Sequence, residues 1–218
     1  MSRRNGGSIV FWNAVTPVAV TSSTDATPIV VTATAHGLVT GDLVQINGHT
    51  TNIAANGIFK ITKVTANTYQ LQNYNTGANI AGSGAGAGSS GVMVVAPRIA
   101  LVKDWRNIIL SVETSGSFNG TFNLAGSIGK LKSDDTTFQG TTPNFGATQS
   151  KSNPYTFVQI LNLDTAAAVN GATGVTSAGT DLHNMYEVNV NGLTYFCPIF
   201  TAWTAGTVTV KGELLDNL

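Results

Sequence analysis

Tyr186-Glu-Val-Asn-Val-Asn-Gly-Leu-Thr-Tyr-Phe-Cys197 places apolar side chains at alternate positions on either side of an Asn-Gly pair. Period two over such a run is the mark of a half-buried strand, and Asn-Gly supplies the positive φ that a two-residue hairpin needs. Read locally, the stretch predicts a hairpin with Val190 opposite Leu193, Val188 opposite Tyr195 and Tyr186 opposite Cys197. All six would then share one face.

Working outward, the same signal recurs through the second half of the chain. Strands are expected at Ile99–Val102, Ile108–Val112, Gly120–Leu124, Phe157–Leu161, Tyr186–Val190, Leu193–Phe196 and Thr207–Lys211, a set that fits a β-sandwich over residues 97–218. Phe118-Asn-Gly-Thr121 reads as a second hairpin, but a two-residue loop there would put Phe118 and Phe122 on opposite faces, which predicts a bulge or a longer loop. One-turn helices capped by Asp164 and Asp181 are expected at 164–168 and 181–185. The polar stretch from Lys130 to Pro154 reads as a long excursion between strands. Residues 1–24, with strand signals at Ser8–Trp12 and Val15–Val20, are assigned to the sandwich as N-terminal strands.

Between these parts lies a shorter-period unit, residues 25–96. Ile29, Val31 and Ala33 alternate, as do Val44 and Ile46, Phe59 and Ile61, and Tyr69 and Leu71, with His36-Gly37, Thr40-Gly41-Asp42, Asn47-Gly48, Asn56-Gly57 and Ala66-Asn67 between the runs. Short strands at this spacing predict a small barrel or sandwich. The segment 77–91 is glycine-rich, too poor in apolar surface to fold by itself, and reads as a long loop before Val92-Met-Val-Val95.

The landmarks His36-Gly-Leu38, Thr40-Gly-Asp42 and Ala55-Asn-Gly-Ile-Phe59 occur within Thr27–Gly48, Asn52–Thr62 and Asn67–Leu71. Together they resemble a small β-barrel module that recurs in phage tail and other virion proteins. The module is similar to the barrel inserted beside the first catalytic-cysteine half-domain of ubiquitin-activating enzymes. The match covers residues 25–95, under half the chain, and departs from the pattern at His49-Thr-Thr51. The resemblance implies an inserted barrel in a phage structural protein, and it carries over no catalytic residue.

Composition bears on surfaces. Charged residues make up 10% of the 218 and hydrophobic ones 42%, whereas a free monomer usually covers itself more densely with charge. Much of the surface is therefore expected to be interface. Zero formal net charge gives no field to draw the chain to nucleic acid or anionic lipid, so neither DNA nor a membrane is expected as a direct partner. No apolar run approaches the length of a membrane-spanning helix.

No chemistry-bearing constellation emerges, so no catalytic, cofactor-binding or metal-binding residue is nominated. Cys197 is the single cysteine, sits in an apolar run and reads as a buried hydrophobe. His36, His49 and His183 are too scattered for a metal site, and His36 belongs to a turn with a structural reading. Asp134 and Asp135 lack the spacing of a calcium loop. The run 82–91 lacks the Gly-Lys-Ser/Thr ending of a phosphate loop. Trp105 and Trp203 lie beside polar residues, as interface anchors and sugar platforms do, though core packing is the simpler reading.

The expectation is then an all-β protein, a β-sandwich with an inserted small barrel, and not an enzyme. It would be assembled in the host cytoplasm into a phage virion, as a tail, neck or capsid-decoration protein, through contacts with copies of itself and other virion proteins. The alternative is a receptor-binding or fibre-tip module that recognises host surface glycan through loops such as 130–154. A virion-associated hydrolase is the third reading.

Overall fold

A computed structural model of the chain describes residues 5–73, 76–84, 91–95, 98, 100–127, 155–169 and 173–215. The excursion expected at 130–154, with Asp134 and Asp135, and the centre of the glycine-rich segment lie outside the described residues. The fold is all-β, a β-sandwich with barrel-like features, and the one short helix among the described residues is a 3-10 turn at Ile53–Ala55.

The larger sheet runs in the order β1 (Asn5–Val15), β16 (Tyr195–Leu215), β10 (Asn107–Ser127), β15 (His183–Asn189), β12 (Ile160–Asn162) and β13 (Ala167–Val169). β9 (Ala100–Leu101) pairs with β16, while β11 (Tyr155–Phe157) and β14 (Val175–Ala178) pair with β10. Its spine is the antiparallel β10–β16 ladder, which runs from Asn107 opposite Leu215 to Ser127 opposite Tyr195. A straight strand of that length would extend about 70 Å. The ribbon instead folds over at Ser115–Asn119, where the register shifts.

Glycines permit that fold. Gly116 has φ 77° and Gly206 φ 84°, and a Cβ on Gly206 would lie 2.6 Å from both the Phe118 Cα and the Ser115 carbonyl oxygen. Only glycine allows both the conformation and the close approach. The two halves of the ribbon then face each other as layers. Trp12, which sits opposite Val210 in one half, packs on Phe200 at 4.8 Å and Phe122 at 6.2 Å in the other. Ile108, Leu110, Val112, Val208 and Val210 join Phe118, Phe122, Leu124, Phe196 and Phe200 in one core.

The smaller sheet has the order β2 (Val18–Val20), β8 (Gly91–Val95), β5 (Leu43–Asn47), β6 (Gly57–Lys63), β7 (Thr68–Asn73), β4 (Val30–Thr32) and β3 (Ser22–Ser23). Its two edges, β2 and β3, are consecutive in the chain on either side of Thr21, so the sheet curls round into a barrel-like form, called the barrel below. Ile29, Val31, Ala33, Val44, Ile46, Phe59, Ile61, Tyr69 and Leu71 fill it at 0% exposure. Of the strands before residue 25, β1 joins the large sheet, but β2 and β3 pair within the small one.

Three local readings are corrected. The 186–197 hairpin does not form, because β10 pairs with both β15 and β16 and lies between them. The Asn191-Gly192 turn does exist, with Gly192 at φ 83°, but it carries the chain from one layer to the other. Tyr186, Val188 and Val190 therefore share the main core with Phe196, whereas Cys197 is buried outside that core, on the other side of β16. Phe118–Thr121 is no hairpin either. It lies within β10, the expected bulge occurs there, and Phe118 and Phe122 are both fully buried. The segments 164–168 and 181–185 are turn and strand rather than helix. Asp164 accepts a hydrogen bond from Met185 N (2.7 Å) and Asp181 from Phe118 N (3.0 Å), so each carboxylate ties a loop to a distant strand.

Candidate functional site

The residues singled out for chemistry are not brought together. Cys197 is wholly buried, and desolvation pushes its thiol up to about 12, a weak nucleophile at neutral pH. The His36 ring accepts the Leu38 N–H at Nδ1 (3.1 Å), which leaves Nε2 to donate to the Thr65 carbonyl (3.2 Å), and it stacks edge-on against Tyr69. It pins the turn to the neighbouring strand end. His49 sits in a reciprocal pair in which its N–H donates to Asn56 Oδ1 and Asn56 Nδ2 donates to its carbonyl; burial pulls its imidazole pKa down. His183 is exposed on β15 opposite Glu113. Among the described residues, no group of three or more His, Cys, Asp or Glu could hold a metal ion. Trp105 and Trp203 both pack partly buried against the main core, and Trp203 Nε1 donates to the Gly206 carbonyl (2.9 Å).

Polar groups instead fasten the structure. Gln45, fully buried in β5, accepts the Phe200 N–H at 3.0 Å and donates back to the Phe200 carbonyl at 3.2 Å, and Asn47 donates to the same carbonyl at 3.3 Å. Trp12 Nε1 donates to the Val95 carbonyl (3.2 Å), so each sheet holds the backbone of the other with a side chain. Asn52, also fully buried, donates to Ser23 Oγ and the Thr24 carbonyl, and accepts from the Ser83 N–H. The start of the glycine-rich segment is thereby tied to the barrel, where Ile80 packs on its core.

Among the described residues, one surface open to a partner is the outer face of the large sheet. The register aligns two rows across it. One row is Val10, Lys211, Ser111 and Met185; the next is Ser8, Glu213, Ile109, Glu187 and Leu161. Val10 is 45% exposed, Met185 47% and Leu161 38%. Isolated exposed apolar residues need no explanation, but these share a surface with the half-exposed Ile109. A groove of about 190 Å³ runs between Ile109, Met185, Lys211 and Glu213, and a second of about 470 Å³ opens beside Asn107, Leu161, Glu187 and Asn189. Asn107 donates to Glu187 at 2.7 Å in that second groove, which fixes the carboxylate. Local alternation cannot assemble this face, because its members come from β1, β10, β12, β15 and β16 and meet only after long-range pairing.

The sequence matches no protein-family model and no curated protein.

Proposed function

We propose that this protein is a non-enzymatic structural subunit of a bacteriophage virion, of the tail, neck or capsid-decoration type, that acts by packing against copies of itself and neighbouring virion proteins. The observation that carries the reading is the outer face of the large sheet, where Val10, Met185 and Leu161 stand exposed around the part-buried Ile109, beside Lys211, Glu213 and Glu187. A chain with only 10% charged residues has little else with which to keep such a face solvated. The barrel landmarks from His36 to Phe59 support the virion context through their resemblance to phage modules. The test is mass by light scattering, with and without the other proteins of the particle, beside hydrolase and binding assays on host cell-wall and capsule glycans. Self-association or addition to particle proteins, with no glycan turnover, is the expected result. A strict monomer that adds to nothing, or one that cleaves or tightly binds glycan, overturns the reading.

A further inference from the structure

We propose that the outer face of the large sheet pairs with the same face of a second copy, about a two-fold axis lying between the Lys211 row and the Glu213 row. This deepens the assembly reading by naming one partner and the surface it meets. A two-fold contact must be self-complementary, each patch meeting its own image. Lys211 and Glu213 stand two residues apart on β16, both exposed and both pointing outward. An axis running across the strands between them sets each Lys211 over the partner's Glu213, giving two opposite-charge pairs. The same operation sets Ser111 over Ile109 and brings Met185 over the aliphatic stem of Glu187. Among the described residues no ion pair within the chain ties down Lys211 or Glu213.

Edge pairing through β1 is the competing way to join two copies, since among the described residues no strand pairs with its outer side. Three register shifts interrupt that strand, Ala14 turns to φ 48°, and the Phe11 carbonyl already accepts from Arg98 N at 3.3 Å. Bulges of this kind blunt an edge against strand addition. Five strands at ~4.8 Å spacing and seven residues at ~3.3 Å give the face about 24 by 23 Å, below the ~800 Å² per partner of a standard interface. The pairing is accordingly expected to be weak on its own and to weaken further with salt.

Charge exchange tests this. Sedimentation equilibrium on the full chain should show a monomer–dimer equilibrium. Lys211→Glu alone and Glu213→Lys alone should each weaken it about tenfold or more, because each substitution creates two like-charge contacts per dimer. The double variant Lys211→Glu/Glu213→Lys should restore wild-type association to within a few-fold. Unchanged melting temperatures in the single variants show that the fold is intact. Self-association insensitive to both single variants, or a double variant no better than the singles, overturns this face as the contact while leaving assembly by another surface standing. A wild-type chain that stays monomeric yet adds to particle proteins overturns the two-fold pairing alone. One that does neither overturns both.

Discussion

Gln45 and Phe200 lie 155 positions apart and hydrogen-bond as if they were strand neighbours: the side-chain amide of one accepts from the backbone N–H and donates to the carbonyl of the other. The pair is fully buried, so neither end has water as a substitute. Gln45→Glu would keep the acceptor for Phe200 N–H but set a carboxylate oxygen against the Phe200 carbonyl. We expect a loss of about 2–4 kcal/mol, with Gln45→Met losing less because no charge is buried. Chemical denaturation of the three proteins measures this. Equal stability of Gln45→Glu and wild type would mean the contact is dispensable.

That relationship also marks what the sequence does and does not reveal. Alternation at Ile29, Val31, Phe59, Ile61, Tyr69 and Leu71 is a local property, and each of these side chains is at 0% exposure in the barrel. The all-β class was legible for the same reason. Pairing is not local. Asn191-Gly192 has the chemistry of a hairpin turn, but β10, some 80 residues earlier, occupies the place between β15 and β16. The consequence for side-chain direction is a one-residue slip, with Phe196 rather than Cys197 in the main core. Gly116 and Gly206 looked like ordinary glycines until the ribbon's fold placed the Gly206 backbone against Phe118. The outer-face rows were illegible for the same cause, since Val10, Lys211 and Met185 share nothing but the register.

Gly206→Ala should be among the most damaging single-methyl additions in the chain. It combines a left-handed backbone, worth roughly 1–3 kcal/mol of strain for an L residue, with a 2.6 Å approach to backbone atoms that cannot rotate away. Gly179 provides the control: it has φ 90° with nothing within 4 Å of its added Cβ, so Gly179→Ala should cost the backbone strain alone, roughly 1–3 kcal/mol, and less than Gly206→Ala. Melting temperatures of the two variants decide it, and equal losses would show that the ribbon bend is not sterically closed.

Because β2 and β3 form the two edges of the small sheet, the segment 18–23 should be required for the barrel to stand alone. A fragment covering residues 16–96 is expected to show a cooperative β-type melt. A fragment covering 25–96 lacks both edge strands, exposes Val31 and Met93 neighbours to unpaired backbone, and should melt at lower temperature or without cooperativity. Identical melts would show that the barrel closes without them.

Tyr69 and Cys197 are two of the buried acids through which stability responds to alkali. Desolvation raises the pKa of the Tyr69 hydroxyl, which is buried with no hydrogen-bond partner among the described residues, and raises that of the Cys197 thiol to about 12 from an ordinary 9.0. In the unfolded chain the thiol loses its proton near pH 9 and the phenol near pH 10, while the folded chain keeps both. The unfolded state thus binds fewer protons, and folding stability falls as pH rises. For Cys197 the contribution is complete below about pH 9 and is lost progressively towards pH 12, by roughly 1.4 kcal/mol for each pH unit. Cys197→Ala should flatten the stability profile in that window, and Tyr69→Phe should flatten it from about pH 10 upward. Tyr69→Phe should also leave neutral-pH stability unchanged or raise it by up to about 1 kcal/mol, since it removes a hydroxyl that finds no partner among the described residues. Denaturant titrations from pH 7 to 11 measure all three effects, with thiol labelling at pH 8 as a check that Cys197 reacts only on unfolding. A thiol labelled at the rate of a free cysteine in the native protein, or a Tyr69→Phe variant several kcal/mol less stable, would contradict the burial from which both expectations derive.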